Sequence, residues 1–387
     1  MSAAVMLASD TVNMTSRVAM EPVRCAWRPH AERSLRWAAR LLGGLLIASA
    51  ASWGVAAEAD PRLALVPDGG ESAYRVASSG LWVGAYATLE ASVPESAPAS
   101  VGLGDLGLLL RYELTPSIAL FNEVDLEDMV TLVEHSGVER GSRILLLERL
   151  YLDWSATPHL TVRVGKFLTP FGIWNVTRRA PLTWTVDRPV ATQSAFPEHT
   201  SGLSVIYQTT RHGWTFDATG YGQAQDELVR GAADTSASAI GGGRFVAGHA
   251  LGRAYLAWGL SGTVFENRDT DRWEDAYGTD VDLTVWGHHL TGEFAYSHLR
   301  ENGAAREWGL YIQDVVPLFG AFSGVFRFEH TEPRDGPAVN GPLLGIAWRP
   351  SAHVIVKADY QFADHEGSPR ARSALERGFG ATITLFF

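Results

Sequence analysis

The chain has 387 residues, of which 46% are hydrophobic and 19% are charged, and its formal net charge is −11. This apolar content excludes an intrinsically disordered chain. The acidic balance argues against nucleic acid as a partner, because the phosphate backbone repels negatively charged protein surfaces.

An apolar run at 41–53 follows several arginines and precedes small residues. It is shorter than the roughly 20 residues that a membrane-spanning helix needs. We therefore predict a leader with a cleaved secretory signal peptide over 1–59, followed by a short linker over 60–80. An internal buried helix is the alternative, and the start codon and the cleavage site stay open.

The single cysteine, Cys25, lies in this leader. A mature chain without cysteine has no disulfide, no thiolate nucleophile and no cysteine-bound metal, which agrees with export through an oxidising compartment. His288 and His289 are adjacent, but a metal would need further ligands from elsewhere in the chain. We expect no metal and no other cofactor.

Apolar and polar residues alternate in short segments from Leu81 to the last residue, and no window has a convincing helical period. This pattern predicts an all-β domain over 81–387 with about 16 strands (14–18) of about ten residues each. The predicted strands are 81–92, 103–114, 117–127, 143–155, 159–168, 201–210, 212–222, 239–249, 251–263, 280–287, 288–298, 305–315, 320–330, 341–349, 353–362 and 377–387.

The connections between these segments alternate between short and long. This asymmetry is typical of a transmembrane antiparallel β-barrel with short periplasmic turns and long extracellular loops. A secreted β-sandwich is the alternative, but it gives no reason for unequal loops. The predicted long loops are 93–102, 128–142, 169–200, 223–238, 264–279, 299–304, 331–340 and 363–376.

The last segment alternates back from its terminal phenylalanine, Phe387. It resembles the C-terminal signature of bacterial outer-membrane proteins, which implies recognition by the barrel-assembly machinery and a Gram-negative outer membrane, with its lipid and lipopolysaccharide, as the location. In a closed barrel this strand would pair with the first one and leave no exposed edge.

The third long loop follows a strand with a distinctive ending, made of Gly165, Phe167, Pro170, Phe171 and Gly172, then Trp174 and Asn175. This pattern resembles the outer-membrane porin families related to the phosphate-selective porins O and P. The resemblance implies a homotrimeric channel for passive diffusion of small hydrophilic solutes or ions, without enzymatic activity. It also implies that the loop at 169–200 folds into the lumen as a pore constriction.

Pro170 withholds a backbone donor and Gly172 permits a tight change of direction, so the chain can leave the sheet here. An ordinary loop over the rim is the alternative for 169–200. Wall charges could line a channel or only fill the barrel with salt bridges. The candidate pore residues are Arg163, Lys166, Phe171, Trp174, Arg178, Arg179, Asp187, Arg188, Arg327, Glu329, Lys357 and Asp359.

The sequence departs from phosphate-selective porins in its charge. Phosphate selectivity in that family depends on a line of lysines and arginines, whereas this chain has only two lysines, Lys166 and Lys357. We therefore expect a modest cation preference or little charge preference.

Other motifs favour enzymes only weakly. The GxGxxG pattern at 102–107 opens an alternating strand instead of a helix, which argues against nucleotide binding. Glu123 and Asp125 could be paired catalytic carboxylates, but lining is the simpler interpretation. The alternatives are an outer-membrane phospholipase or protease and a structural or adhesive barrel with a closed lumen.

Glu148 falls on the face assigned to lipid, which indicates a register error or a subunit contact.

Overall fold

The computed structural model describes most of the chain beyond the predicted leader. The predicted signal peptide, Cys25 and the loop at 363–376 lie outside the described residues. Those residues are 63–66, 71–76, 78–139, 145–193, 195–226, 235–301, 305–334, 338–362 and 377–387.

The described part of the chain is almost entirely β-strand. One turn of α-helix (Trp174–Thr177) and one 3₁₀ turn (Val190–Thr192) interrupt the strands. Within the described ranges, no helix has the length and apolar character needed to cross a membrane. The strands are β1 (Leu63–Val66), β2 (Glu71–Arg75), β3 (Leu81–Pro94), β4 (Ser100–Thr115), β5 (Ile118–Val133), β6 (Gly137–Glu139), β7 (Leu146–Thr157), β8 (Leu160–Leu168), β9 (His199–Arg211), β10 (Trp214–Gln223), β11 (Ala237–Leu251), β12 (Ala254–Asn267), β13 (Arg272–Val285), β14 (His288–Leu299), β15 (Arg306–Pro317), β16 (Phe322–Glu332), β17 (Val339–Ser351), β18 (Val354–Gln361) and β19 (Gly378–Phe386).

Sixteen of these strands, β3–β5 and β7–β19, form a closed antiparallel barrel in sequence order. The last strand closes it, because Ala381 of β19 lies opposite Ala91 of β3 and Phe386 lies opposite Tyr86. The short strands β1 and β2 form a hairpin beside β3, and β6 extends the pairing of β5. Closure removes the exposed edges, and it confirms the predicted architecture and strand number.

The main error in the predicted strands concerns β13, which begins at Arg272 and not near 280. The predicted long loop at 264–279 is therefore wrong, since only 268–271 connect β12 to β13. The prediction missed the start of this strand because Asp275 places a charge on its outward face, which interrupts the alternation of apolar and polar residues. In the structure that charge is bound by the guanidinium of Arg300, at 2.8–3.0 Å.

The two rims of the barrel differ in their connections. Two-residue turns join β9 to β10 and β13 to β14 on one rim, and His212, Gly213, Trp286 and Gly287 in these turns all have positive φ. This geometry matches type I′ turns, whose twist suits adjacent strands. The other rim carries longer connections, of which 169–198 is the longest.

The outer face of the barrel is apolar and exposed, whereas the inner face is polar and buried. Leu108, Leu344 and Ile312 are among the exposed outward residues, while Glu293 and Arg327 are buried inside. This distribution is the reverse of a water-soluble protein, and it fits a barrel whose outer belt faces lipid.

Glu148 lies inside the barrel because of a β-bulge between β5 and β7. Glu123 is opposite Arg149 and Val124 is opposite Leu147, so Glu148 has no partner of its own in the register. A bulge of this kind turns two successive side chains to the same face. Glu148 and Arg149 are both buried. The lipid-facing position assigned to Glu148 from alternation is therefore wrong.

The apolar belt predicts a depth-dependent penalty for charge. Leu344→Arg, in the middle of β17, should lower the free energy of unfolding by about 2–4 kcal/mol, since arginine is costly near the bilayer midplane. Urea titrations of the protein folded in lipid vesicles measure this change. Ala352→Arg, in an exposed turn at the rim, is the matched control with little expected effect. Equal losses for both variants would contradict a lipid-facing belt.

Candidate functional site

The segment 169–198, here called the inner loop, leaves the wall between β8 and β9 and turns into the barrel. Its two ends are tied together, because the Thr169 backbone N–H donates to the Glu198 carbonyl at 2.9 Å. The Asn175 side-chain amide donates to the carbonyls of the same two residues, at 2.8 and 3.0 Å. Phe171 and Phe196 stack at 4.1 Å between ring centroids, so the base of the loop is a packed unit.

The first part of the inner loop reaches β14 across the lumen. The Glu293 carboxylate accepts hydrogen bonds from the backbone N–H groups of Ile173 (2.9 Å) and Trp174 (2.7 Å). It also accepts one from the Tyr311 hydroxyl at 2.5 Å. These bonds satisfy backbone donors that would otherwise be orphaned at the start of the short helix.

The next part of the loop is held by Lys357 of β18. Its ammonium group donates to the carbonyls of Ala180 (3.2 Å) and Thr185 (3.0 Å) and to the hydroxyl of Thr183 (2.8 Å). Three acceptors match the three donors of an ammonium group. Lys357 is only 2% exposed, so it binds the loop and presents almost no surface to solvent.

Three further predicted wall residues also bind the loop backbone. Arg327 donates to the Thr185 hydroxyl at 2.9 Å and to the Asp187 carbonyl at 2.8 Å. The Asp359 carboxylate accepts from the Val186 N–H at 2.7 Å, and the Glu329 carboxylate accepts from the Val190 N–H at 2.8 Å. The sequence placed these four wall residues inside the barrel, and the structure brings all of them to the inner loop.

An aromatic contact supports the same region. Trp184 packs against a small apolar cluster of Val315, Val325 and Ala347. The Arg349 guanidinium lies over the Trp184 ring at 4.6 Å and donates to the Pro181 carbonyl at 3.0 Å. Arg349 was not among the predicted pore residues, because no local pattern links it to a loop so far away in sequence.

The loop arginines lie in buried ion pairs. Arg178 bridges Glu148 and Glu198, and Arg188 binds the other oxygen of Glu198. Although burial raises the pKa of Glu198, the guanidinium groups of Arg188 and Arg178 lower it well below its ordinary value.

Arg179 lies 2.6 Å from the Glu123 carboxylate, which also binds Arg149. The hydroxyl of Tyr86 donates to Asp125 at 2.9 Å. Glu123 is therefore occupied by two cations, which favours the lining interpretation of this carboxylate pair over a hydrolytic one.

Two predicted residues lie away from these contacts. Arg163 forms a bidentate pair with Asp153, with both bonds at 2.8 Å, and lies over the Tyr151 ring at 3.7 Å. Lys166 is buried near the end of β8, opposite Leu150 and Ser201 in the register.

Acidic side chains remain partly exposed beside the loop. Asp187 on the loop, Glu90 on β3 and Asp105 on β4 each retain solvent-accessible surface. Burial, together with the nearby carboxylates of Asp359 and Glu90, raises the pKa of Asp187 to about 8. Glu90 and Asp105 were missed as candidates, because a β-bulge beside Asp105 interrupts the alternation there.

In the described ranges, no cluster of three or more His, Cys, Asp or Glu side chains could hold a metal ion.

Comparisons with known proteins agree with this architecture. No family model matches the chain. An uncharacterized protein of Aquifex aeolicus (strain VF5) is 32% identical over 128 residues, which cover 32% of this chain and only 28% of that protein.

Solved outer-membrane proteins share the fold at low sequence identity. The anion-selective porin from Comamonas acidovorans has a TM-score of 0.54 at 13% identity, covering 80% of this chain and 100% of that one. The trimer form of OmpT, an outer-membrane protein of Vibrio cholerae, has 0.52 at 13% identity, covering 79% and 99%. OmpF of Salmonella typhi in complex with daunomycin has 0.52 at 8% identity, covering 81% and 99%. The chain therefore has the fold of outer-membrane porins, and the closer resemblance to phosphate-selective porins stays a prediction.

The buried ion pairs predict that Arg178 stabilises the loop. Arg178→Met should lower the free energy of unfolding by about 3–5 kcal/mol, because it leaves the Glu148 carboxylate buried with only His199 beside it. Urea titration in lipid vesicles tests this. The double variant Arg178→Met/Glu148→Gln should recover part of the loss, and Arg253→Met, in an exposed turn, should change nothing. Wild-type stability of the single variant would exclude such a role.

Proposed function

We propose that this chain is an outer-membrane channel through which small hydrophilic solutes and ions diffuse passively. The observation that supports it is the path of the inner loop, which runs through a closed barrel along the inner wall and not over its rim. A loop in that position reduces the cross-section, so its surface and the wall facing it determine what passes.

The setting of the channel is part of the same proposal. The chain is exported through its signal peptide, is inserted by the barrel-assembly machinery through the strand ending at Phe387, and assembles among lipid and lipopolysaccharide. Homotrimeric assembly is proposed from the trimer form of the Vibrio cholerae protein, which shares the fold.

We further propose a preference for cations. The loop arginines are neutralised by Glu148, Glu198 and Glu123, so they contribute little net positive charge to the passage. The partly exposed acids near the loop are Glu90 and Asp105, and Asp187 joins them only as the pH rises past its pKa of about 8. In a confined space with low dielectric walls, a few such charges raise the local concentration of cations.

A barrel with a closed lumen is the second candidate. It is favoured by the near-complete burial of the wall groups behind the loop, where Arg327 is 0% exposed and Glu329 is 1% exposed. Planar-bilayer recordings separate the two candidates, since stepwise single-channel currents require a passage and a closed barrel gives none.

The selectivity proposal predicts a loss of cation preference when the acids are removed. Wild type should give a modest K⁺ preference in reversal-potential measurements, and Glu90→Gln/Asp105→Asn should bring the K⁺/Cl⁻ permeability ratio close to about 1. Glu332→Gln, which removes an exposed outward acid near the rim, is the matched control and should behave as wild type. A strong anion preference in wild type would contradict the proposal.

The raised pKa of Asp187 predicts a pH dependence. Because its pKa is about 8, this carboxyl is mostly neutral at pH 7 and ionises as the pH rises to 9, so cation preference should increase over that interval. Reversal potentials recorded at both pH values measure the change. Asp187→Asn cannot ionise and should lose this increase. An equal increase in both proteins would assign the titration to another group.

A further inference from the structure

The inner loop covers a large part of the wall at its level. The exposed fraction is 2% for Lys357 on β18, 0% for Arg327 on β16 and 1% for Glu329 on β16, and all three side chains bind the loop. A water-filled passage wide enough for a hydrated solute would leave such inward side chains accessible. Along this wall, the loop in its present position therefore blocks a solute.

Part of the remaining accessible surface lies at one seam. Glu90 and Asp105 on the wall, Val186 and Asp187 on the loop, and Gly380 on β19 are all partly exposed. The seam therefore runs between β3, β4 and β19 and the part of the loop at 182–188, here called the tip segment. Its width depends on where the tip segment lies.

The tip segment is bounded by fixed points. Pro181 and Pro189 flank it, and their rings restrict the backbone on either side. Before it, Arg178 and Arg179 are held in buried ion pairs, and after it, Val190 is bonded to Glu329. The hydrogen bonds between the tip segment and the wall run through side chains, whereas each wall strand is held by ladders on both sides.

The fit against wall glycines is also looser at the tip. A Cβ at Gly278 would lie 2.6 Å from the Phe171 ring, and one at Gly309 would lie 2.8 Å from Ala191. At Gly380 the nearest atom of Val186 would be 3.2 Å away, which is a tight contact without severe overlap. The loop is thus most closely fitted at β13 and β15 and less closely at β19.

We propose that the tip segment is a movable gate, and that passage of solute requires it to leave β18 and β19 while the rest of the inner loop stays in place. This inference rests on the proposed channel function. In the closed position the gate is held by hydrogen bonds with Lys357, Asp359 and Arg327 and by the packing of Trp184 against β15, β16 and β17. Release widens the seam between the loop and β3, and the flanking segments act as hinges.

A disulfide that locks the gate tests this proposal. A Cβ at Gly380 would lie 3.3 Å from the Val186 Cβ, close to the separation of about 3.5–4.5 Å in disulfides. The double variant Val186→Cys/Gly380→Cys, once oxidised, should lose about tenfold or more of its single-channel conductance in 1 M KCl, and dithiothreitol should restore it. Full conductance of the cross-linked protein would overturn the gate. Each single cysteine variant, which cannot form this cross-link, is the control.

A second variant loosens the gate. Lys357→Met removes three hydrogen bonds to the loop and should raise conductance by about twofold or more in 1 M KCl, where salt screens the change of charge. Unchanged conductance would contradict the role of Lys357 in holding the gate. If the wild-type protein carries no current but Lys357→Met does, the result supports a gate that is closed in the wild-type protein. If neither carries current, both the channel and the gate are rejected.

Discussion

The hydrogen bonds between charged wall side chains and the loop backbone are the constraint on which the interior depends. A loop that enters a barrel brings N–H and C=O groups into a confined space where water is scarce, and each unpaired group is costly. Here carboxylates accept from the N–H groups of Trp174, Val186 and Val190, while Lys357 and Arg327 donate to carbonyls. The wall charges are therefore structural first, and in the proposed channel permeant ions meet mainly the groups that stay partly exposed.

This use of charge is the reason why we expect no anion-selective passage from a loop rich in arginine. Each arginine that enters the buried network needs a carboxylate to offset the cost of its desolvation, and Glu148, Glu198 and Glu123 supply these groups. The field in the remaining passage comes from groups outside the network. Asp187 joins these groups only above its pKa of about 8, which is raised by burial and by the neighbouring carboxylates of Asp359 and Glu90.

The barrel was predictable from sequence because lipid outside and polar groups inside impose a strict period of two. That logic failed where the period is broken locally. The bulge at Glu148 shifts the face by one residue. Asp275 faces outward, where Arg300, directly after the end of the next strand, neutralises it. Lys357 and Asp359 were correctly placed inside, but their partners in the loop could not be inferred. A hydrogen bond to a distant backbone group, as from Lys357 to Thr185, requires no particular residue type and leaves no sequence pattern.

Glycine in the wall links the fold to the position of the loop. Gly278, Gly309 and Gly380 lie on the inner face of three different strands. Because each lacks a Cβ, a different loop residue can approach its backbone, and these residues are Phe171, Ala191 and Val186. A side chain at Gly278 would displace Phe171 and, with it, the stacked base of the loop, whereas a small one at Gly380 would need only a slight shift of Val186. The wall thus packs closely against the base, and it holds the tip by hydrogen bonds from β16 and β18 and by the apolar contact of Trp184. Hydrogen bonds can be exchanged for water at modest net cost, whereas lost apolar packing cannot be replaced in this way, so the proposed motion is confined to the part of the tip that contacts β18 and β19.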